Sequence, residues 1–207
     1  TIHITSDNNM VDARFPVQTV IRPQGNELHD FRGYAGTVAG GIFRVGDEVK
    51  VLPSGFASTI KSINVYDQFE EMAFEGMSVV LTLTDDIDIS RGDMIVKSNN
   101  LPEITQDLSA MICWFNENPA RDRAKYTLKH TSNEPKAMIK EVEYKVNIDT
   151  IKRIAEDKQI NMNDICKVKI RTTAPIMMDD YAKNRKTGSF ILIDEATNET
   201  VAAGMLF

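Results

Sequence analysis

The 207-residue sequence predicts an all-β protein built as two consecutive antiparallel β-barrels, and three observations predict it. Short stretches of alternating polar and apolar residues recur along the chain, at the period of a half-buried strand. Closely spaced glycine turns interrupt them, most densely in residues 31–55 (FRGYAGTVAGGIFRVGDEVKVLPSG), as a small, tightly curved barrel requires. A run of turn formers with a proline at 98–105 (SNNLPEIT) then separates two such groups, and nearly nothing has the period of a long helix.

Residues 1–13 are mostly polar, hold a Ser-Asp-Asn-Asn cluster and read as a connector; a start without Met hints at something preceding it. Residues 14–21 (RFPVQTVI) read as the first strand, with Phe15, Val17, Thr19 and Ile21 on one face and Pro16 and Arg22-Pro23 bracketing it. Within 31–55, Gly36-Thr37-Val38 reads as an outgoing strand, Gly40-Gly41 as a tight reversal and Val45-Gly46-Asp47 as a second turn. Residues 48–52 alternate before Pro53-Ser54-Gly55 closes them, and 57–65 alternate again. Residues 69–76 (FEEMAFEG) fit a helical turn or a loop. Residues 77–84 (MSVVLTLT) are a strong β run closed by Asp85-Asp86. Ser90-Arg91-Gly92-Asp93 then echoes the earlier Gly-Asp turn and launches 94–97.

The domain boundary is expected at 103/104, giving domains at 1–103 and 104–207. In the second, residues 108–115 (LSAMICWF) are apolar enough to be buried on both faces, and 116–122 form a loop. Residues 126–130, 136–148, 165–171 and 189–193 read as strands, and 194–200 turn into 201–206. Asp149 or Thr150 could cap one or two helical turns carrying Ile151, Ile154 and Ala155.

Composition is that of a soluble globular protein, with 42% hydrophobic and 26% charged residues. No run approaches the length of a membrane span, and no signal peptide opens the chain, so a cytoplasmic setting without a membrane is expected. Cys113 and Cys166 make neither a disulfide framework nor a metal motif and are expected as reduced core thiols. Net charge is −6, split as −7 over residues 1–103 and +1 over 104–207. An acidic first half is a poor surface for a phosphate backbone, which makes nucleic acid an unlikely partner.

Enzymatic motifs are weak. There is no phosphate loop and no G-x-G-x-x-G, and Asp30-Phe31-Arg32-Gly33 fits a turn better than a GTPase D-x-x-G. Ser58-Thr59-Ile60-Lys61, Ser62-Ile63-Asn64 and Lys186-Thr187-Gly188 imitate the triad of penicillin-binding proteins. That chemistry needs Ser and Lys one helical turn apart, whereas alternation over 57–65 places Ser58 and Lys61 on opposite faces of a strand. His3, His29 and His130 have no metal-ligand spacing, and Asp85-Asp86 and Asp179-Asp180 read as turn residues. Catalytic, cofactor-binding and metal residues are therefore expected to be absent from this chain. Basic residues gather at Arg121, Arg123, Lys125 and Lys129, and again at Lys183, Arg185 and Lys186. A solvated face or contact with an acidic partner would each explain them.

Residues 36–47 (GTVAGGIFRVGD) with the downstream RGDMI resemble the second domain of translation-factor-type GTPases. Leu128-Lys129-His130-Thr131, Ala174-Pro175-Ile176, Asp179-Asp180-Tyr181, residues 187–194 (TGSFILID) and 197–205 (TNETVAAGM) resemble more particularly the large, GTP-hydrolysing subunit of bacterial sulfate adenylyltransferases. The resemblance implies barrels of the elongation-factor domain 2 and domain 3 type. It also implies a heterodimer with a small catalytic subunit, in which GTP hydrolysis drives formation of adenosine 5′-phosphosulfate from ATP and sulfate. GTP and Mg would lie in an amino-terminal GTPase domain that has no counterpart here, nor has the kinase domain fused in some relatives. No family catalytic residue therefore transfers to a position in this chain, and the chain alone is expected to be inactive. Arg32, Gly33 and Tyr34 fall where that superfamily's second barrel faces its GTPase domain, and so are expected interdomain contacts. Arg121, Arg123, Lys183, Arg185 and Lys186 are expected to contact the catalytic subunit. A tRNA- or ribosome-binding module of a translation GTPase is the alternative.

Overall fold

A computed structural model describes residues 9–22, 31–66, 68–121 and 123–207, and every regular element among them is a strand. The chain divides into two compact units, Thr1–Leu101 and Pro102–Phe207.

The first unit contributes β1 (Arg14–Ile21), β2 (Gly33–Thr37), β3 (Ile42–Arg44), β4 (Glu48–Leu52), β5 (Ala57–Val65), β6 (Gln68–Glu70), β7 (Met72–Phe74), β8 (Ser78–Leu83) and β9 (Met94–Lys97). The order β4-β9-β1-β2-β8-β5 closes through a β4–β5 pairing into a six-stranded antiparallel barrel, with β6 appended to β5 and β3–β7 a separate ribbon. Closure leaves the ring without an exposed edge. Phe15, Tyr34, Phe43, Ile60, Ile63, Leu81 and Ile95 fill the interior, where the Phe15 and Phe43 rings meet edge to face at 6.3 Å.

The Gly-Asp echo in the sequence is a repeated turn. Asp47 Oδ2 accepts the Arg44 amide at 2.7 Å with Gly46 at φ +88°, and Asp93 Oδ2 accepts the Ser90 amide at 2.8 Å with Gly92 at φ +97°. A third copy sits in the other unit, where Asp164 accepts the Asn161 amide at 2.7 Å and Asn163 takes the left-handed position at φ +66°. Asn tolerates that region better than a branched residue.

The second unit contributes β10 (Glu103–Trp114), β11 (Tyr126–Lys129), β12 (Lys136–Val146), β13 (Arg153–Ile154), β14 (Ile165–Met178), β15 (Ser189–Asp194) and β16 (Thr200–Leu206). Their order, β11-β15-β16-β10-β14-β12, closes through β11–β12 into another six-stranded antiparallel barrel, with β13 appended to β12. Trp114 and Tyr126 stack edge to face at 5.8 Å in its core with Leu108, Ile112, Val168, Phe190 and Leu206.

Several expectations change. Residues 69–76 are neither helix nor loop: β7 zips onto β3, pairing Ile42 with Phe74 and Arg44 with Met72. Residues 151–155 form no helix either, because Asn147 ties down the amides of Thr150 and Ile151 while Arg153 and Ile154 pair with β12. In β1 the alternation slips after Val17, where a bulge shifts the register to β2. Thr19 and Ile21 consequently face outward and Val20 packs on the core. Residues 108–115 are buried on one face only: Leu108, Ala110, Ile112 and Trp114 point in, while Cys113 and Phe115 are exposed. A closed barrel has one interior, so the second apolar row lies outside. Cys113 is thus a surface thiol, whereas Cys166 is buried and its thiol is pushed up to about 12, first by burial and then by Asp164. Residues 1–8, Pro23, His29 and Asp30, on which the connector, part of the strand bracket and the D-x-x-G reading fall, lie outside the described residues.

Candidate docking surfaces

The expected contact residues of the first barrel begin at β2. Phe31 and Arg32 precede it and Gly33 opens it beneath the Phe31 ring, so close that a Cβ there would meet Val80 Cγ1 at 2.7 Å and Phe31 Cε1 at 3.0 Å. Any side chain at 33 would push Phe31 away. Tyr34 turns inward, 1% exposed, and its hydroxyl donates to the Ile87 carbonyl at 2.9 Å. Burial raises its pKa, so the phenol stays protonated. Arg32 is thus the one of the three whose side chain reaches the surface, where it pairs with Asp86.

Around Arg32 lies a groove of ≈ 640 Å³ walled by Phe31, Lys61, Ser62, Asn64, Phe69 and Asp85. Phe69 stands at its rim almost fully exposed, on the β6 hairpin. The Ser62 and Thr82 hydroxyls are paired at 2.7 Å along its floor, and Asn64 Oδ1 is buried there without a partner among the described residues. An aromatic ridge, a salt-bridged arginine and an unsatisfied carbonyl suit a protein contact, in which the carbonyl would find a donor.

The basic residues of the second barrel are not one patch. Arg121 Nη2 donates to Asp194 Oδ2 at 2.5 Å, at the carboxyl end of β15. Burial pushes the Asp194 carboxyl up, but the Ala196 amide, Arg121 and the Thr197 amide outweigh it and hold its pKa below the usual value. Arg123 follows in the same loop at φ +55°. Lys183, Arg185 and Lys186 sit instead in the turn that feeds Ser189, at the amino end of β15, roughly 17 Å away along the strand. Asp180 and Asn184 order that turn by accepting the amides of Ala182, Lys186 and Thr187. His130 anchors it from below, with Nε2–H donating to the Thr187 carbonyl at 2.7 Å. Since a carbonyl only accepts, the proton is on Nε2, and burial lowers the imidazole pKa and keeps it neutral.

The penicillin-binding imitation dissolves in this geometry. Ser58 is buried and donates to Asp85 at 2.7 Å, Lys61 is exposed, and Lys186–Gly188 belongs to the other unit. Among the described residues no three His, Cys, Asp or Glu side chains gather as metal ligands, and no helix is long and apolar enough to cross a membrane.

Two features escaped sequence reasoning. Arg14 is fully buried, with its guanidinium donating to the Ala13 and Asn100 carbonyls and Asn100 Oδ1. Lys145, 6% exposed at its side chain, bridges Asp157 and Asp164 at 2.7 Å each. Neither carries a sequence signal, since both occupy strand positions where a surface charge is the default. The outward apolar row of β10 did carry one, because residues 108–115 lack charge at both parities.

Comparison with known proteins places this geometry. Residues 107–206 match the GTP-eEF1A C-terminal domain-like family. Of solved structures, Sup35 complexed with GMPPNP superposes over 100% of this chain and 49% of its own, with a TM-score of 0.83 at 16% identity, a likeness of fold. A bifunctional enzyme CysN/CysC of Mycobacterium tuberculosis is 46% identical over 99% of the chain, and sulfate adenylyltransferase subunit 1 of Bacteroides fragilis is 44% identical over 100%. The chain spans 34% of the first relative and 42% of the second. Along its whole length, then, the chain is a homologue of sulfate adenylyltransferase subunit 1 and the corresponding part of CysN/CysC enzymes, and it shares the double-barrel architecture of elongation-factor-type GTPases.

Proposed function

We propose that these barrels serve as the coupling part of a cytoplasmic, GTP-dependent sulfate adenylyltransferase subunit. The carrying observation is the 42–46% identity, spread over essentially the entire chain, with sulfate adenylyltransferase subunit 1 proteins and a bifunctional CysN/CysC enzyme. In this reading a GTPase domain of the longer protein binds GTP and Mg. The barrels pass its nucleotide state by rigid-body docking to a small catalytic subunit that makes adenosine 5′-phosphosulfate from ATP and sulfate. Two closed rings with packed apolar cores suit that task, because a stiff body transmits a displacement that a soft one would absorb.

Arg32 and the groove around it would meet the GTPase domain, with Gly33 and Tyr34 supporting the strand behind. Arg121 and Arg123, together with Lys183, Arg185 and Lys186, would meet the catalytic subunit; lying at opposite ends of β15, these two clusters would contact separate regions of it. The test is adenosine 5′-phosphosulfate formation by the longer subunit together with its catalytic partner, measured with and without GTP. Arg32→Ala is expected to lower the GTP stimulation while leaving heterodimer formation intact, and wild-type stimulation in that variant would reject the assignment.

A further inference from the structure

The outer surface of the second barrel is split into two unlike halves. Over β12 and β14 it is a ladder of charge pairs, Lys167 with Glu143, Lys169 with Glu141, and Arg171, beyond them, with Asp107 of β10. That is how a strand face stays wet. Over β10, β16 and β15 the register builds two uncharged rows: Met111, Met205 and Ser189 in one, Cys113, Ala203 and Ile191 in the next. The small Ala203 at the centre leaves a shallow groove among these side chains. Its charged lining residues are Lys129, which pairs outside the groove with Glu134 at 3.5 Å, and Lys186, and no carboxylate is among the lining residues. Lys129 lies opposite Ile191 in the β11–β15 register, at one end of the Cys113 row.

We infer that this face is a docking site for a segment of another protein that carries apolar residues flanked by carboxylates. Interfaces exclude charge from their centres and place it at the rim, and this face has that arrangement. Met111 and Met205, in the row beside Ala203, adapt to a partner's shape at little cost. The basic rim selects the sign of that partner and steers its approach. The inference needs only the surface chemistry of this barrel, although Lys186 also belongs to a cluster proposed above to meet the catalytic subunit.

Cys113 supplies the readout, being an exposed thiol in the groove while Cys166 is buried. The rate of Cys113 modification by an aromatic disulfide is measured on the full chain with a synthetic peptide of alternating leucine and glutamate. A leucine–lysine peptide of equal length is the control. The acidic peptide should slow modification several-fold at low salt and lose its effect at high salt, while the lysine peptide should leave the rate unchanged. Ala203→Glu and Ser189→Asp, each first shown to keep the wild-type Trp114 emission, should abolish the protection. Equal protection by both peptides, protection by neither, or protection surviving both substitutions would overturn the inference. Protection that rises with protein concentration alone would assign the face to a second copy of this chain and equally overturn it.

Discussion

Replacing Lys145 by methionine should destabilise the second barrel severely, although the residue touches no predicted site. Its amine is nearly sealed from water and donates to Asp157 and Asp164 at 2.7 Å each. Burial alone would lower its pKa, but the bonds to Asp157 and Asp164 outweigh that and raise it. Breaking a buried pair by removing one partner costs about 3–5 kcal/mol. Here both carboxylates reach solvent, at 53% and 27% side-chain exposure, and can rehydrate. Methionine also keeps the packed stem, so we expect about 2–3 kcal/mol, the size of one or two hydrogen bonds to a charged group. For a unit of this size that lowers the melting temperature by on the order of 10–20 °C. Trp114 is the single tryptophan, and its backbone bonds to Asn163 and Asp164 in the same turn. Its emission therefore reports this barrel alone. A shift below about 0.5 kcal/mol, the range of an ordinary surface substitution, would refute the reasoning.

Other outcomes follow from the same geometry. His130 has its pKa lowered by burial, so between that value and the ordinary 6.5 the unfolded chain binds the extra proton and stability rises with pH; His130→Gln should flatten this dependence in tryptophan-monitored melts. The hydrogen bond from Lys145, above all, holds Asp157 below 3.8, so its contribution is present above that pH and lost as pH falls through the lowered value; Lys145→Met should remove this acid limb. Gly204→Ala would drive a methyl into the Phe190 ring and should cost about 1–3 kcal/mol by denaturant titration. Thiol counting on folded protein should find one reactive cysteine, Cys113, with Cys166 reacting only after unfolding.

Strand positions could be read from the sequence because a barrel wall imposes period-two alternation, and the turns because Gly46 and Gly92 adopt backbone conformations that favour glycine. What could not be read were consequences of register and closure. The bulge after Val17 reverses the parity of β1, and nothing in RFPVQTVI marks it beforehand. Apolar character in residues 108–115 measured burial only for the inward row; the outward one is apolar although it faces solvent. Tyr34, two residues after Arg32, parts from it because Arg32 precedes β2 and escapes the strand's alternation, while Tyr34 sits within β2 and turns into the barrel, so closeness in sequence misjudges which side chains share a surface. Arg121 and the basic residues at 183–186, read as separate groups, lie at opposite ends of β15.

The central claim is that this chain docks and relays while the chemistry is carried out elsewhere. The direct measurement is competition: the purified chain is titrated into the longer subunit and its catalytic partner while GTP-stimulated adenosine 5′-phosphosulfate formation is followed. We expect saturable inhibition, relieved by excess catalytic partner, with no turnover of GTP or ATP by the chain itself. Unchanged stimulation at saturating chain, or turnover by the chain alone, would contradict the account.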